Sequence, residues 1–153
     1  MSHLKYVNVL LKKFAEANDG VNHVSDYCLD ELPLADSMMR ALKSYFSAMS
    51  TSITPPQAAE RWKICTTKLT DSRPRIRTVA NHWFYEQEFS PSVDAAAKDR
   101  TLNDFMSRLH SVVGASTVFE VQVNPPMWYE CVWQDFAFDG NRERWLLHFG
   151  FSD

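Results

Sequence analysis

The chain has 153 residues, of which 45% are hydrophobic and 23% charged, with four glycines and a net charge of −3. That length suits one domain, 1–153, which buries enough apolar surface to need no metal or disulfide staple. The composition is ordinary for a globular domain, and it excludes a long low-complexity tail.

From the N-terminus, Ser2 is placed to cap a first helix with Leu4, Val7, Leu10, Leu11 and Phe14 at helical spacing, and Asn18-Asp19-Gly20 stops it. Lys12, Lys13 and Glu16 interrupt its apolar face, so no signal-peptide core is present, and no apolar run nears the ~20 residues of a membrane span. The expected location is the cytoplasm. In a reducing compartment Cys28, Cys65 and Cys131 are expected as free thiols.

Residues 21–32 have no clear period and carry Asp26, Asp30 and Glu31, which reads as an acidic loop. Pro33 opens a second helix with Met38, Met39, Leu42, Tyr45, Phe46 and Met49 on one face. Thr54-Pro55-Pro56-Gln57 is a third start, with threonine as cap, proline in the first turn and glutamine at the capping-box position. The stripe Ala58, Ala59, Trp62, Cys65 continues it, yet Trp62, Ile64 and Thr66 alternate, so residues 61–69 read as helix or strand. Ser72 and Pro74 begin another helix, carrying Ile76, Val79, Ala80, Trp83 and Phe84 to about Glu88. Ser90-Pro91 opens the last, with Val93, Ala97, Leu102, Phe105, Met106, Leu109, Val112 and Val113, and Gly114 closes it.

At Thr117 the period becomes two. Phe119, Val121 and Val123 alternate with polar residues, Asn124-Pro125-Pro126-Met127 is a turn, and a second strand runs from Trp128 to Phe138. Asp139-Gly140-Asn141-Arg142 marks a hairpin, and a third strand runs from Arg144 to Phe151. With Gly140-Asn141 as the loop, paired positions sum to 281; with Asp139-Gly140 they sum to 279. Both sums are odd, so either register puts Val132, Phe136 and Phe138 on one face with Trp145, Leu147, Phe149 and Phe151. The proline turn adds Phe119, Val121 and Val123 to that face, together with Glu130 and Gln134, which a bulge would move. The other face holds Tyr129, Cys131, Trp133, Asp135, Arg144, Leu146 and His148, either a recognition surface or a face covered by helices. The expected class is therefore α+β: four to five helices followed by a C-terminal three-stranded antiparallel meander.

Neither a phosphate loop, a dinucleotide fingerprint nor a metal-ligand spacing occurs, so neither cofactor nor metal is expected. His82 and Glu86, four apart on a helix, read as a surface contact. Cys131, His148 and Asp135 share a sheet face, but nothing nearby would lower a thiol pKa, and no catalytic residue is assigned. Charge is uneven: residues 1–80 hold 11 Lys/Arg against 8 Asp/Glu, and residues 81–153 hold 5 against 11. Arg61, Lys63, Lys68, Arg73, Arg75 and Arg77 could meet phosphates, with Trp62 and Trp83 to stack on bases. The acidic total speaks against a dedicated nucleic-acid binder. Residues 116–141, by contrast, hold Glu120, Glu130, Asp135 and Asp139 and no Lys or Arg.

A small acidic chain without catalytic signatures fits stoichiometric protein binding. The strand and turn from Trp133 to Gly140, and the ending from Arg144 to Gly150, carry its aromatic and acidic character. In this it resembles bacterial immunity proteins, the cognate inhibitors of contact-dependent and other polymorphic toxins; the likeness is of type, so no site is carried over. It implies a non-enzymatic inhibitor that occludes a basic toxin domain, such as a nuclease, with Glu130, Trp133, Asp135 and Asp139 as contacts and no membrane partner. The alternatives are a phage- or plasmid-encoded accessory protein that binds a host protein or nucleic acid through Arg73, Arg75 and Arg77, and an uncharacterised enzyme.

Overall fold

A computed structural model describes residues 1–49, 61–126 and 128–153. The helix start at Thr54-Pro55-Pro56-Gln57 lies outside them, as does Met127. Among the described residues the chain forms helices α1 (His3–Ala17), α2 (Met38–Ser47), α3 (Ser72–Tyr85) and α4 (Ala95–Val113). Its strands are β1 (Val24–Glu31), β2 (Lys63–Lys68), β3 (Thr117–Asn124), β4 (Val132–Asp139) and β5 (Arg144–Ser152). All pair antiparallel in one five-stranded sheet, in the order β1-β5-β4-β3-β2.

The α+β class holds, but the sheet is wider than a C-terminal three-stranded meander. Residues 24–31, expected as loop, form β1 because Ser25, Tyr27 and Leu29 turn inward while Asp26, Cys28 and Asp30 turn to the other face. Within residues 61–69, expected as helix or strand, 63–68 are strand: β2 lies along β3, with Ile64 opposite Val123 and Thr66 opposite Val121. Both additions pair with segments far away in sequence, which local patterning does not report.

The helix caps follow local chemistry. Ser2, Ser37 and Asp94 each accept a backbone N–H from the first turn of α1, α2 and α4. α2 therefore begins five residues after Pro33, and α4 four after Pro91. Gly114 ends α4 at a positive φ of 64°, where a side chain would be strained.

The β4–β5 register sums to 283, so Phe136 faces Leu147 and Phe138 faces Trp145. This two-residue slip from 281 leaves every side chain on its expected face. Phe136 and Trp145 share one face and are buried. The β3–β4 register sums to an even 256, which reverses the expectation for β3: Val118 joins the face of Phe136, and Phe119, Val121 and Val123 join the opposite one. The cause is residues 125–131, a loop of odd length where a tight proline turn was expected, so β4 starts at Val132.

The sheet thus lies between two cores. α1, α3 and α4 cover one face, packing Leu11, Phe14, Trp83, Phe84 and Phe105 on Tyr27, Phe136, Leu147 and Phe149. α2 covers part of the other with Leu42 and Phe46, joined by Trp62, over Val121, Ala137 and Leu146. Gln134, on the first face, is satisfied by the Trp83 indole, whose Nε1–H donates to its Oε1 at 2.8 Å.

Candidate functional site

Beside α2, on the second face of the sheet, the strands bring together a polar group that no single segment of the sequence contains. β5 contributes His148, β4 Asp135, β1 Asp26, Cys28 and Asp30, and the loop before β4 Tyr129 and Glu130. The alternation that buries Tyr27, Phe136 and Phe149 on the first face necessarily turns their neighbours to this one.

His148 is at the centre, 4% exposed. Its Nδ1 lies 2.6 Å from Asp135 Oδ1 and 3.3 Å from the Tyr129 hydroxyl. Its Nε2 lies 2.9 Å from Glu130 Oε2 on the other side. Burial alone would lower the imidazole pKa, but the charge and hydrogen bond of Asp135 and the ion pair with Glu130 outweigh it and push the pKa up to about 10. Burial also raises the Glu130 pKa, against the pull of His148. Gly150 makes the Glu130 position accessible: a Cβ there would stand 1.7 Å from Glu130 Oε2. Next to the triad, Asp30 accepts from the Tyr45 hydroxyl at 2.6 Å and from Cys28 Sγ at 3.6 Å.

Aromatic rings close the side towards α2. Phe46 and Trp62 stack at 5.1 Å, and Tyr129 stands edge-on to both and to Trp133. Burial, reinforced by Asp30, raises the Cys28 thiol far above its ordinary range, which makes it a poor nucleophile. Tyr45 and Tyr129 are raised too, chiefly by burial.

Of the residues singled out in the sequence, Glu130 is largely buried against Gly150, and Trp133 is half-buried at the start of β4. Asp135 is wholly buried, so it lies behind the surface and is no direct contact for a partner. Asp139 is at the far end of β4, where Arg144 Nε donates to it at 2.8 Å. Asp135 and His148 do meet, as their shared face required, but among the described residues no hydrogen bond joins Cys131 to them; Cys28 is directly opposite His148 on β1. Cys28 and Asp26 were missed because β1 was read as a loop.

Arg73, Arg75 and Arg77 lie on α3, so their two-residue spacing spreads them around a helix. Arg75 pairs with Glu120 at 3.0 Å and Arg77 with Asp99 at 2.9 Å. His82 and Glu86 form an exposed contact at 3.3 Å. All three cysteines are free.

Around this group the surface is apolar and acidic. Trp128, in the loop before β4, is 68% exposed, and Val132 and Val24 are 48% and 62% exposed. Val132 and Val24 pair with Phe151 and Ser152 of the intervening β5, so they share one end of the sheet, Val132 on the face of Phe136 and Val24 on that of His148. Asp26, also exposed, is at the same end.

Among the described residues no helix is long and apolar enough to cross a membrane. No protein-family model and no curated protein matches the sequence. Crystal structures of citrus MAF1 share the fold over almost the entire chain. The form in space group P 31 2 1 is 11% identical over 99% of each chain, with a TM-score of 0.51. The form in C 2 2 21 is 10% identical over 98% of each, with a TM-score of 0.52. At such identity the likeness is one of architecture.

Proposed function

We propose that this protein is a stoichiometric, non-enzymatic inhibitor acting in the cytoplasm, an immunity protein that binds a basic toxin domain and occludes its active site. The observation that carries the reading is the exposed Trp128. A tryptophan left 68% in water supplies the kind of aromatic anchor that dominates protein interfaces. Asp26, exposed on β1, supplies negative charge for a basic partner. Trp133 packs edge-on against Tyr129, the residue after the anchor, and Asp135 holds His148 from inside. Asp139, engaged with Arg144, is outside the surface.

The experiment is a pull-down with the product of the adjacent gene, or from the native host, followed by kinetics on the recovered pair. Trp128→Ala is expected to cost about 2 kcal/mol, or roughly 30-fold in affinity, mostly through faster dissociation. Raising salt is expected to slow association, because exposed charges are screened beyond about 8–10 Å at physiological ionic strength. A partner whose binding is indifferent to Trp128→Ala sinks the surface. Specific capture of nucleic acid in place of protein sinks the inhibitor reading.

A further inference from the structure

We infer that Asp26, Glu130 and His148 form a binding site for one divalent first-row transition-metal ion, of the Mn²⁺ or Zn²⁺ class. One ligand atom from each of the three residues lies within 4.8 Å of the others. They come from β1, the loop before β4 and β5, so no spacing motif could have shown them, and the expectation that the chain holds no metal rested on such motifs.

Three observations point to an ion. First, Glu130 Oε2 and His148 Nε2 are 2.9 Å apart, yet Oε2 is a buried atom with no aligned hydrogen bond. Two ligands at right angles on bonds of ~2.1 Å lie about 3 Å apart, so this pair has the separation of one edge of a coordination shell. Second, the far ring nitrogen, Nδ1, is held by Asp135 Oδ1 at 2.6 Å. A carboxylate on the distal nitrogen is the support that metal-bound histidines use to fix their orientation and raise their basicity. Third, the charge is out of balance. Asp26, Glu130 and Asp135 surround a single imidazole, and among the described residues no lysine or arginine pairs with any of them. A cation of two charges relieves that repulsion where one imidazolium does not.

The ligand chemistry selects the class. One imidazole nitrogen and two carboxylate oxygens suit Mn²⁺ and Zn²⁺, and with no thiolate among them the site disfavours soft ions. Gly150 lets the Glu130 carboxylate lie directly on the strand. Asp26 is exposed, so the ion enters from its side and keeps positions open there for water or a further ligand. On binding, the metal replaces the proton on Nε2 and releases it to solvent.

The test titrates full-length protein, stripped of metal with a chelator, with Zn²⁺ by calorimetry and with Mn²⁺ by the loss of its free electron-paramagnetic-resonance signal. One ion per chain is expected. Asp26→Asn, at an exposed position that leaves folding untouched, is expected to weaken binding at least ten-fold, and Glu130→Gln similarly. Asp135→Asn, acting through His148, is expected to cost 10–100-fold, by analogy with other outer-shell carboxylates. Absence of saturable binding by either ion overturns the site. So does binding that both Asp26→Asn and Glu130→Gln leave unchanged, which would place the ion elsewhere. The site does not depend on the inhibitor reading, because the titration needs no partner protein.

Discussion

Asn18 was legible as a helix stop, but its larger role is at the residue scale of packing. Wholly buried, it donates to the carbonyls of Phe14 and Trp83 at 2.9 Å and accepts from Ser90 Oγ at 2.7 Å, tying the end of α1 to α3 and the segment after it. Asn18→Ala leaves those buried groups unpaired and is expected to cost about 1–3 kcal/mol in a denaturant titration. The two acidic residues of β4 should differ more sharply. Removing Asp135 takes the shorter of two ion pairs from a buried imidazolium, so Asp135→Ala is expected to cost about 3–5 kcal/mol. Asp139→Ala breaks a partly exposed pair with Arg144 and is expected to cost at most about 1 kcal/mol. Equal costs for the two would refute the burial argument. Gly150→Ala is a third case, since its Cβ would displace the Glu130 carboxylate. An overpacking cost of about 1–3 kcal/mol is expected.

Among the elements, β1 is the most instructive. Its acidic residues look like those of a loop, yet eight consecutive residues pair with β5, from Val24 opposite Ser152 to Glu31 opposite Trp145. The acidic side chains serve the edge position, because charge on an outer strand discourages pairing with another chain. Hydrogen exchange should show the amides of β1 that face β5 protected together with those of β5. Exchange at loop rates through residues 24–31 would remove β1 from the sheet, and with it the placement of Asp26. Thiol chemistry gives a second check. Cys65 on β2 is exposed, whereas burial and Asp30 keep the Cys28 thiol protonated. A thiol-disulfide reagent should therefore modify Cys65 well before Cys28.

For the whole molecule the sheet carries opposite charge at its two edges. β1 presents Asp26, Asp30 and Glu31; β2 presents Lys63 and Lys68, next to Arg61. The arginines of α3 add little free positive charge, since Arg75 and Arg77 are already paired with Glu120 and Asp99. Binding to single- or double-stranded DNA or RNA at physiological salt should therefore be no tighter than the 10⁻⁴–10⁻⁶ M typical of non-specific complexes. A sub-micromolar complex that weakens when Arg73, Arg75 and Arg77 become Ala would show that these side chains act together despite their spread around the helix.

What the sequence determined by itself is local. Helical and alternating periods, capping residues and Gly114 were enough to find α1, α2, α3 and α4 and the three C-terminal strands, because each depends on neighbours a few residues away. The shared face of Phe136 and Trp145 was legible because an odd register sum survives a two-residue slip. The tertiary structure decided the rest. The length of the loop over residues 125–131 reversed the face of Phe119, Val121 and Val123, since strand parity changes with a single residue. Only pairing across the sheet made strands of residues 24–31 and 63–68. The group around His148 belongs to the same class: Asp26, Glu130 and Asp135 reach it from three segments, and their burial, which sets the charge on the ring, exists only once those segments have packed.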